Sequence, residues 1–156
     1  MIKSDSTSNL FLICRSDPRL CALPLGNIVE TMRSLPIKPM PDMPPFLLGV
    51  AIIRGDVVPV VDVASLLGAT MHSHRSRFVT LKIGERSVAF AVDDVIGVRK
   101  LDNEIKANIP PLLDTADAGM IEAMTTLDAE LLLVLQGAHL IPDSIWDTLD
   151  AMRAPQ

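Results

Sequence analysis

The sequence predicts an all-β fold with a few short helices: two similar, small β-lobes packed on one shared apolar core. Three observations carry that prediction. Short apolar, β-branched runs recur between Gly, Asp and Pro turn signals, most plainly at Phe46–Ile53 and Val57–Val63. The hairpin pattern repeats: Phe11 matches Phe78 at an offset of 67, and Ile52–Val58 matches Thr126–Leu132 at an offset of 74. Hydrophobic residues make up 49% of the 156 and aromatics only 3%, so a sizeable core is available and it is aliphatic and methionine-assisted. Short, evenly spaced strands favour small closed barrels over a sandwich, because closure removes edge strands. The repeat alone does not choose barrels over another all-β fold.

Taken in order, residues 1–9 are a Ser/Asp/Thr/Asn stretch that reads as a disordered tail, 10–152 as a single domain, and 153–156 as a short C-terminal tail. Leu10–Cys14 and Leu20–Leu23 are strands around Ser16-Asp17-Pro18-Arg19, a good turn sequence. Pro24 opens a helical spacing in which Leu25, Ile28, Val29 and Met32 share a face and Glu30 points away. Pro36, Pro39, Pro41, Pro44 and Pro45 forbid helix and central strand, so this stretch is an extended loop. Two apolar strands then flank Arg54-Gly55-Asp56, where Gly55 supplies the positive φ of a tight turn. Asp62 reads as the N-cap of one helical turn, Val63–Leu67, closed by Gly68. Ala69–Arg77 is a polar loop. Phe78–Ile83 and Ser87–Val92 form a hairpin turning at Gly84-Glu85-Arg86, and Val95–Leu101 is a further strand. Residues 102–119 read as a long loop interrupted by Pro110-Pro111. Met120–Leu127 and Glu130–Leu135 make the last hairpin, and a terminal helix starting at Pro142-Asp143-Ser144 carries an Ile145, Trp146, Leu149, Met152 stripe.

Composition excludes several function classes. The net charge of −5 argues against nucleic acid or an anionic membrane surface as partner, since both need a basic face. No run of eighteen apolar residues offers a transmembrane helix, and Met1–Asn9 lacks a signal-peptide centre. Cys14 and Cys21 make no disulfide framework, so a cytoplasmic chain with reduced thiols and no direct membrane insertion is expected.

Gly49-Val50, then Ile53-Arg54-Gly55, then Val58-Pro59-Val60-Val61-Asp62 resembles the best-marked stretch of the CheW family, adaptors that couple chemoreceptors to the histidine kinase CheA. The resemblance spans roughly residues 10–141. It implies two SH3-like, five-stranded β-barrel lobes on a common apolar core. It also implies two partners: the regulatory domain of a CheA-type kinase and the cytoplasmic tip of a chemoreceptor. Carried over residue by residue, it marks Ile28, Val29, Glu30, Gly49 and Arg54 as a receptor- or kinase-binding set. Two departures stand out: Ile52 where the family often has Asn, and Gln136-Gly137 where many relatives have an acidic cap.

Each candidate also has a plainer reading. Arg54 is otherwise a solvated turn residue, and Glu30 a solvated face. Arg54-Gly55-Asp56 spells an integrin-type tripeptide, which in this context reads as coincidence. Asp93-Asp94 pairs two carboxylates as acid/base or metal chemistry does, but adjacent strand residues point to opposite faces, so turn and lobe-junction roles fit better. His72 and His74 alone do not make a zinc site, and His139 reads as structural. Cys14 and Cys21 read as small core residues of one hairpin. No Gly-rich phosphate loop, nucleophile elbow or metal-ligand cluster is present, so no enzyme activity and no cofactor are expected. The expected function is a scaffold between chemoreceptors and a CheA-type kinase. The alternatives are an adaptor of another chemosensory pathway, such as pilus, surface-motility or second-messenger control, and a small-molecule-binding β-barrel.

Overall fold

A computed structural model describes residues 10–16, 19–66, 75–101, 121–127, 130–135 and 143–153. The expectations for 1–9, 102–119, the His72/His74 loop, Gly68, Gln136-Gly137 and His139 lie outside these residues. Ten strands and two short helices follow in order: β1 (Leu10–Ser16), β2 (Arg19–Pro24), β3 (Ile28–Arg33), β4 (Leu47–Ile53), β5 (Asp56–Asp62), α1 (Val63–Leu66), β6 (Arg77–Ile83), β7 (Arg86–Val92), β8 (Asp94–Lys100), β9 (Ile121–Leu127), β10 (Glu130–Leu135) and α2 (Asp143–Arg153). They form two five-stranded sheets, β8-β1-β2-β10-β9 and β3-β6-β7-β5-β4.

The repeat read from sequence is a repeat of register. Cys14 pairs with Cys21 in the β1–β2 hairpin, and Leu81 pairs with Val88, each 67 residues on, in the β6–β7 hairpin. The parallel contacts also match: Val60 faces Ala89 in one sheet and Val134 faces Ala22 in the other. Each first hairpin sends its next strand to the opposite sheet. β3 follows β1–β2 but pairs with β6, while β8 follows β6–β7 but pairs with β1. This exchange makes neither lobe contiguous in sequence.

Burial explains why the strands read as continuous apolar runs. Leu12, Cys14, Cys21 and Leu23 of one sheet meet Val61, Val79, Leu81, Val88, Phe90 and Val92 of the other in a shared core. The alternate residues fill each lobe's own interior: Phe11, Ile13, Leu20 and Ala22 in one, Val58, Val60, Phe78, Ala89 and Ala91 in the other. A strand buried on both faces has no polar alternation. α2 closes the shared core with Trp146 and Leu149, and Arg86 lies over the Trp146 ring at 4.6 Å.

One element differs from the sequence expectation. Residues 24–32 are not a helix: a 3-10 turn at Leu25–Asn27 runs directly into β3. The spacing of Leu25, Ile28, Val29 and Met32 suits a helix. However, Gly26 and Asn27 are poor helix formers, and Ile28, Val29 and Thr31 are β-branched. The free edge of β6 then supplies hydrogen bonds that a single helical turn cannot match. Exposure alternates along β3, with Val29, Thr31 and Arg33 outward. Asp62, expected as an N-cap, is buried at the end of β5 with Oδ2 3.3 Å from Arg75 Nε.

Leu149 is fully buried, so Leu149→Ala should cost about 2–5 kcal/mol. The urea midpoint, followed by the fluorescence of Trp146, the one tryptophan of the chain, measures it.

Candidate functional site

The site is built at one end of the second sheet, where its two edge strands approach each other. β3 and β4 are the outermost strands of that sheet, yet Glu30 of β3 grips Arg54 of the β4–β5 turn. Arg54 Nε donates to Glu30 Oε2 and a terminal guanidinium nitrogen donates to Oε1, both at 2.7 Å. This two-pronged geometry is the strongest form of side-chain ion pair. It laces together two edges that no backbone ladder joins.

A bulge places Glu30. Ile28 lies opposite Leu81 and Glu30 opposite Thr80, with Val29 skipped by the register. Leu81 faces the shared core, so Ile28 packs there, whereas Thr80 lies on the other face of β6 and takes Glu30 with it. The buried Thr80 hydroxyl donates to the Glu30 carbonyl oxygen at 3.2 Å and pins the backbone. Val29, the bulged residue, is left 55% exposed.

The turn places Arg54. Both turn residues have positive φ, 52° at Arg54 and 84° at Gly55, the signature of a type I′ hairpin turn. Glycine takes this conformation freely. An arginine there carries strain of roughly 1 kcal/mol or more. The Arg54 side chain is nonetheless 74% exposed against 25% for that of Glu30, so the pair presents its cationic side to solvent.

The remaining candidates have separate places. Gly49 is buried beneath the proline-rich segment: Lys38 and Val50 exchange backbone hydrogen bonds of 2.7 and 2.9 Å across β4. With φ at 143°, a Cβ on Gly49 would overlap the Lys38 carbonyl, so backbone approach dictates this residue. Ile52 stands 61% exposed two residues before Arg54. With Pro36, Ile37, Pro39, Val50 and Val57 it lines a groove of about 470 Å³ whose one charged residue is Lys38. The sequence marked Ile52 only as a departure; strand alternation from the buried Ile53 is the signal that would have placed it outward. Asp93 and Asp94 serve different partners. Asp93 Oδ1 accepts the Arg75 amide at 3.1 Å, and Asp94 Oδ1 accepts the Val95 amide at 2.9 Å. Among the described residues no group of three His, Cys, Asp or Glu could hold a metal, and no helix is long and apolar enough to cross a membrane.

The family model described as CheW-like domain matches residues 10–144. The chain is 25% identical over 122 residues to the chemotaxis protein CheW of Thermotoga maritima, covering 76% of this chain and 78% of that one. It is 31% identical over 81 residues to protein FrzA of Myxococcus xanthus, spanning about half of each chain, 51% of both. The crystal structure of the scaffolding protein TtCheW from Thermoanaerobacter tengcongensis superposes with a TM-score of 0.72 at 24% identity, covering 85% of this chain and 92% of that one. That likeness agrees with the two β-lobes found here.

Two predictions follow from this geometry. The hydrogen bonds from Arg54, and then its charge, outweigh the opposing effect of burial and hold the Glu30 carboxyl below its ordinary value of 4.5. A depressed carboxyl stabilises the fold above its unfolded pKa, and loses that contribution as pH falls through the folded value. The difference in urea midpoint between the native chain and Glu30→Gln should therefore be constant above about pH 5 and shrink below the ordinary carboxylate value. Gly49→Ala should cost about 1–3 kcal/mol and loosen the 36–39 segment, seen as faster amide exchange at Lys38 and Val50.

Proposed function

The chain belongs to the CheW-like domain family, and from that premise we propose that it is a non-catalytic cytoplasmic adaptor coupling chemoreceptors to a CheA-type histidine kinase. In this reading one lobe docks on the kinase regulatory domain, and the groove between the lobes takes the helical tip of a receptor. The observation that supports it best is the Glu30–Arg54 pair. It is held rigidly from both sides, it is open to solvent, and exposed Val29 and Ile52 are its chain neighbours. Apolar side chains around a fixed charge pair suit a modest, specific protein interface. Val29, Glu30 and Arg54 are the contact residues of the proposal; Ile28 and Gly49 hold the strands that present them. An adaptor of this kind works through differential contacts in two signalling states and requires no reactive group.

Ile52 supports a second reading, an adaptor of the same family serving a different chemosensory pathway. Where the family often has an amide, this chain offers a bare aliphatic surface beside Arg54. A partner matched to it would present an apolar side chain rather than a hydrogen-bonding one.

The test mixes the full chain with the CheA-type kinase and a receptor signalling fragment from the same source. A ternary complex with receptor-dependent kinase activity is expected. Arg54→Glu sets two carboxylates against each other and should weaken receptor coupling by about tenfold or more, with the circular dichroism spectrum unchanged. Unaltered coupling in a folded variant would remove Arg54 from the interface. A complex with a different kinase alone would favour the second reading.

A further inference from the structure

The two cysteines have no part in the site above. Cys14 of β1 and Cys21 of β2 are direct cross-strand partners, and both are fully buried in the shared core. Directly opposed residues of an antiparallel pair have Cα atoms about 4.5–5.5 Å apart, within the span a disulfide bridges. Opposed side chains share one face of the sheet, and here both sulfurs lie in the same buried cluster. The plain explanation is that each cysteine is a small apolar filler. The duplicated lobe weighs against it. Positions 14 and 21 correspond to 81 and 88, which are also direct partners in the same core, and those positions carry Leu81 and Val88. Where packing alone decides, this fold fills the layer with branched aliphatics. The thiol pair is a departure confined to one lobe.

We propose that Cys14 and Cys21 are a redox-convertible pair, a modification site at which a hydroperoxide closes an intramolecular cross-strand disulfide. The Cys14 thiolate attacks a peroxide oxygen; the O–O bond breaks, the released oxygen takes up the proton and departs as alcohol or water, and a sulfenic acid remains. The Cys21 thiolate then attacks that sulfur; the sulfenic hydroxyl leaves, takes up the proton Cys21 has lost and departs as water, and the S–S bond closes. Two thiols lose two electrons in total, and one O–O bond gains them. Cys21 takes the second step because its thiol ionises only with difficulty, and it attacks once the opened hairpin lets it lose its proton. The neighbouring Cys14 side chain first, and then burial, push the Cys21 thiol well above the ordinary value. Burial also means that oxidation waits for the β1–β2 hairpin to open, so the pair answers sustained rather than brief oxidant exposure. Once formed, the bond staples the hairpin at the junction of the two lobes.

Exposing the native full chain to hydrogen peroxide and weighing it intact tests the proposal. A loss of about 2 Da per chain is expected. Both thiols should disappear from alkylation together, at a rate independent of protein concentration, and dithiothreitol should restore them. Cys21→Val, which copies Val88, should instead accumulate a sulfenic acid at Cys14 that dimedone traps. The proposal is overturned if both thiols stay alkylatable under oxidant at urea concentrations where the hairpin amides exchange. It is equally overturned if sulfinic or sulfonic masses appear without the disulfide, or if the product is a disulfide-linked dimer. The decisive readout uses the native chain, so a misfolded variant cannot obscure it.

Discussion

The constraint on which this molecule rests is that its central strands are buried on both faces. β1, β2, β6 and β7 each give alternate residues to a lobe interior and the others to the core between the lobes. Water reaches neither side, so both sets are mainly apolar, a polar group such as the Thr80 hydroxyl needs a partner within the protein, and most variation is in size. Ala89 and Ala91 face the tight interior of a lobe while Val88, Phe90 and Val92 of the same strand fill the wider junction. The lobes therefore cannot be separated without exposing a full layer of aliphatic surface, at about 25 cal/mol for each Å² uncovered. The exchange of β3 and β8 between the sheets adds a covalent reason for the same inseparability.

That constraint also decides what could be read from sequence. Strand runs, turn signals and the repeat were legible because double burial writes itself as unbroken Val, Leu, Ile and Ala, and because both offsets are offsets of register. The segment after Pro24 was misread because its apolar spacing satisfies two periods at once. Local pattern cannot see the open edge of β6, which settled the matter in favour of a strand. The resemblance put Glu30 and Arg54 in one binding set, but their pairing with each other was not legible in the sequence. They lie 24 residues apart on strands that are not hydrogen-bonded neighbours, so only the curl of the whole sheet brings them together. Gly49 was legible as a marked residue but not as a backbone requirement, because the Lys38 carbonyl that crowds it arrives from a loop.

The duplication gives a way to separate what the fold needs from what this chain adds. At an offset of 67, Glu30 corresponds to Gly97: Thr80 faces Glu30 as Ile13 faces Gly97. At an offset of 74, Arg54 corresponds in sequence to Asp128. Glycine and aspartate cannot form the pair that glutamate and arginine form, yet strand order and register are common to both sheets. The ion pair is therefore not a condition for building this kind of lobe.

Its backbone setting points the same way. A type I′ turn is most stable with Asn or Gly at its first central position, and Arg54 occupies that position with a φ of 52°. A solvent-exposed ion pair stabilises a fold only weakly, because water screens it and two long side chains lose freedom to form it. Neither turn propensity nor net stability therefore accounts for an arginine in this turn. What the residue does supply is geometry: a guanidinium fixed in direction by two hydrogen bonds, on a side chain 74% exposed, at an end of the second sheet where its edge strands approach each other. Strain accepted at a solvated residue, where the sequence repeat carries no cation, is a pattern that folding does not require and that the proposed contact role of Arg54 explains.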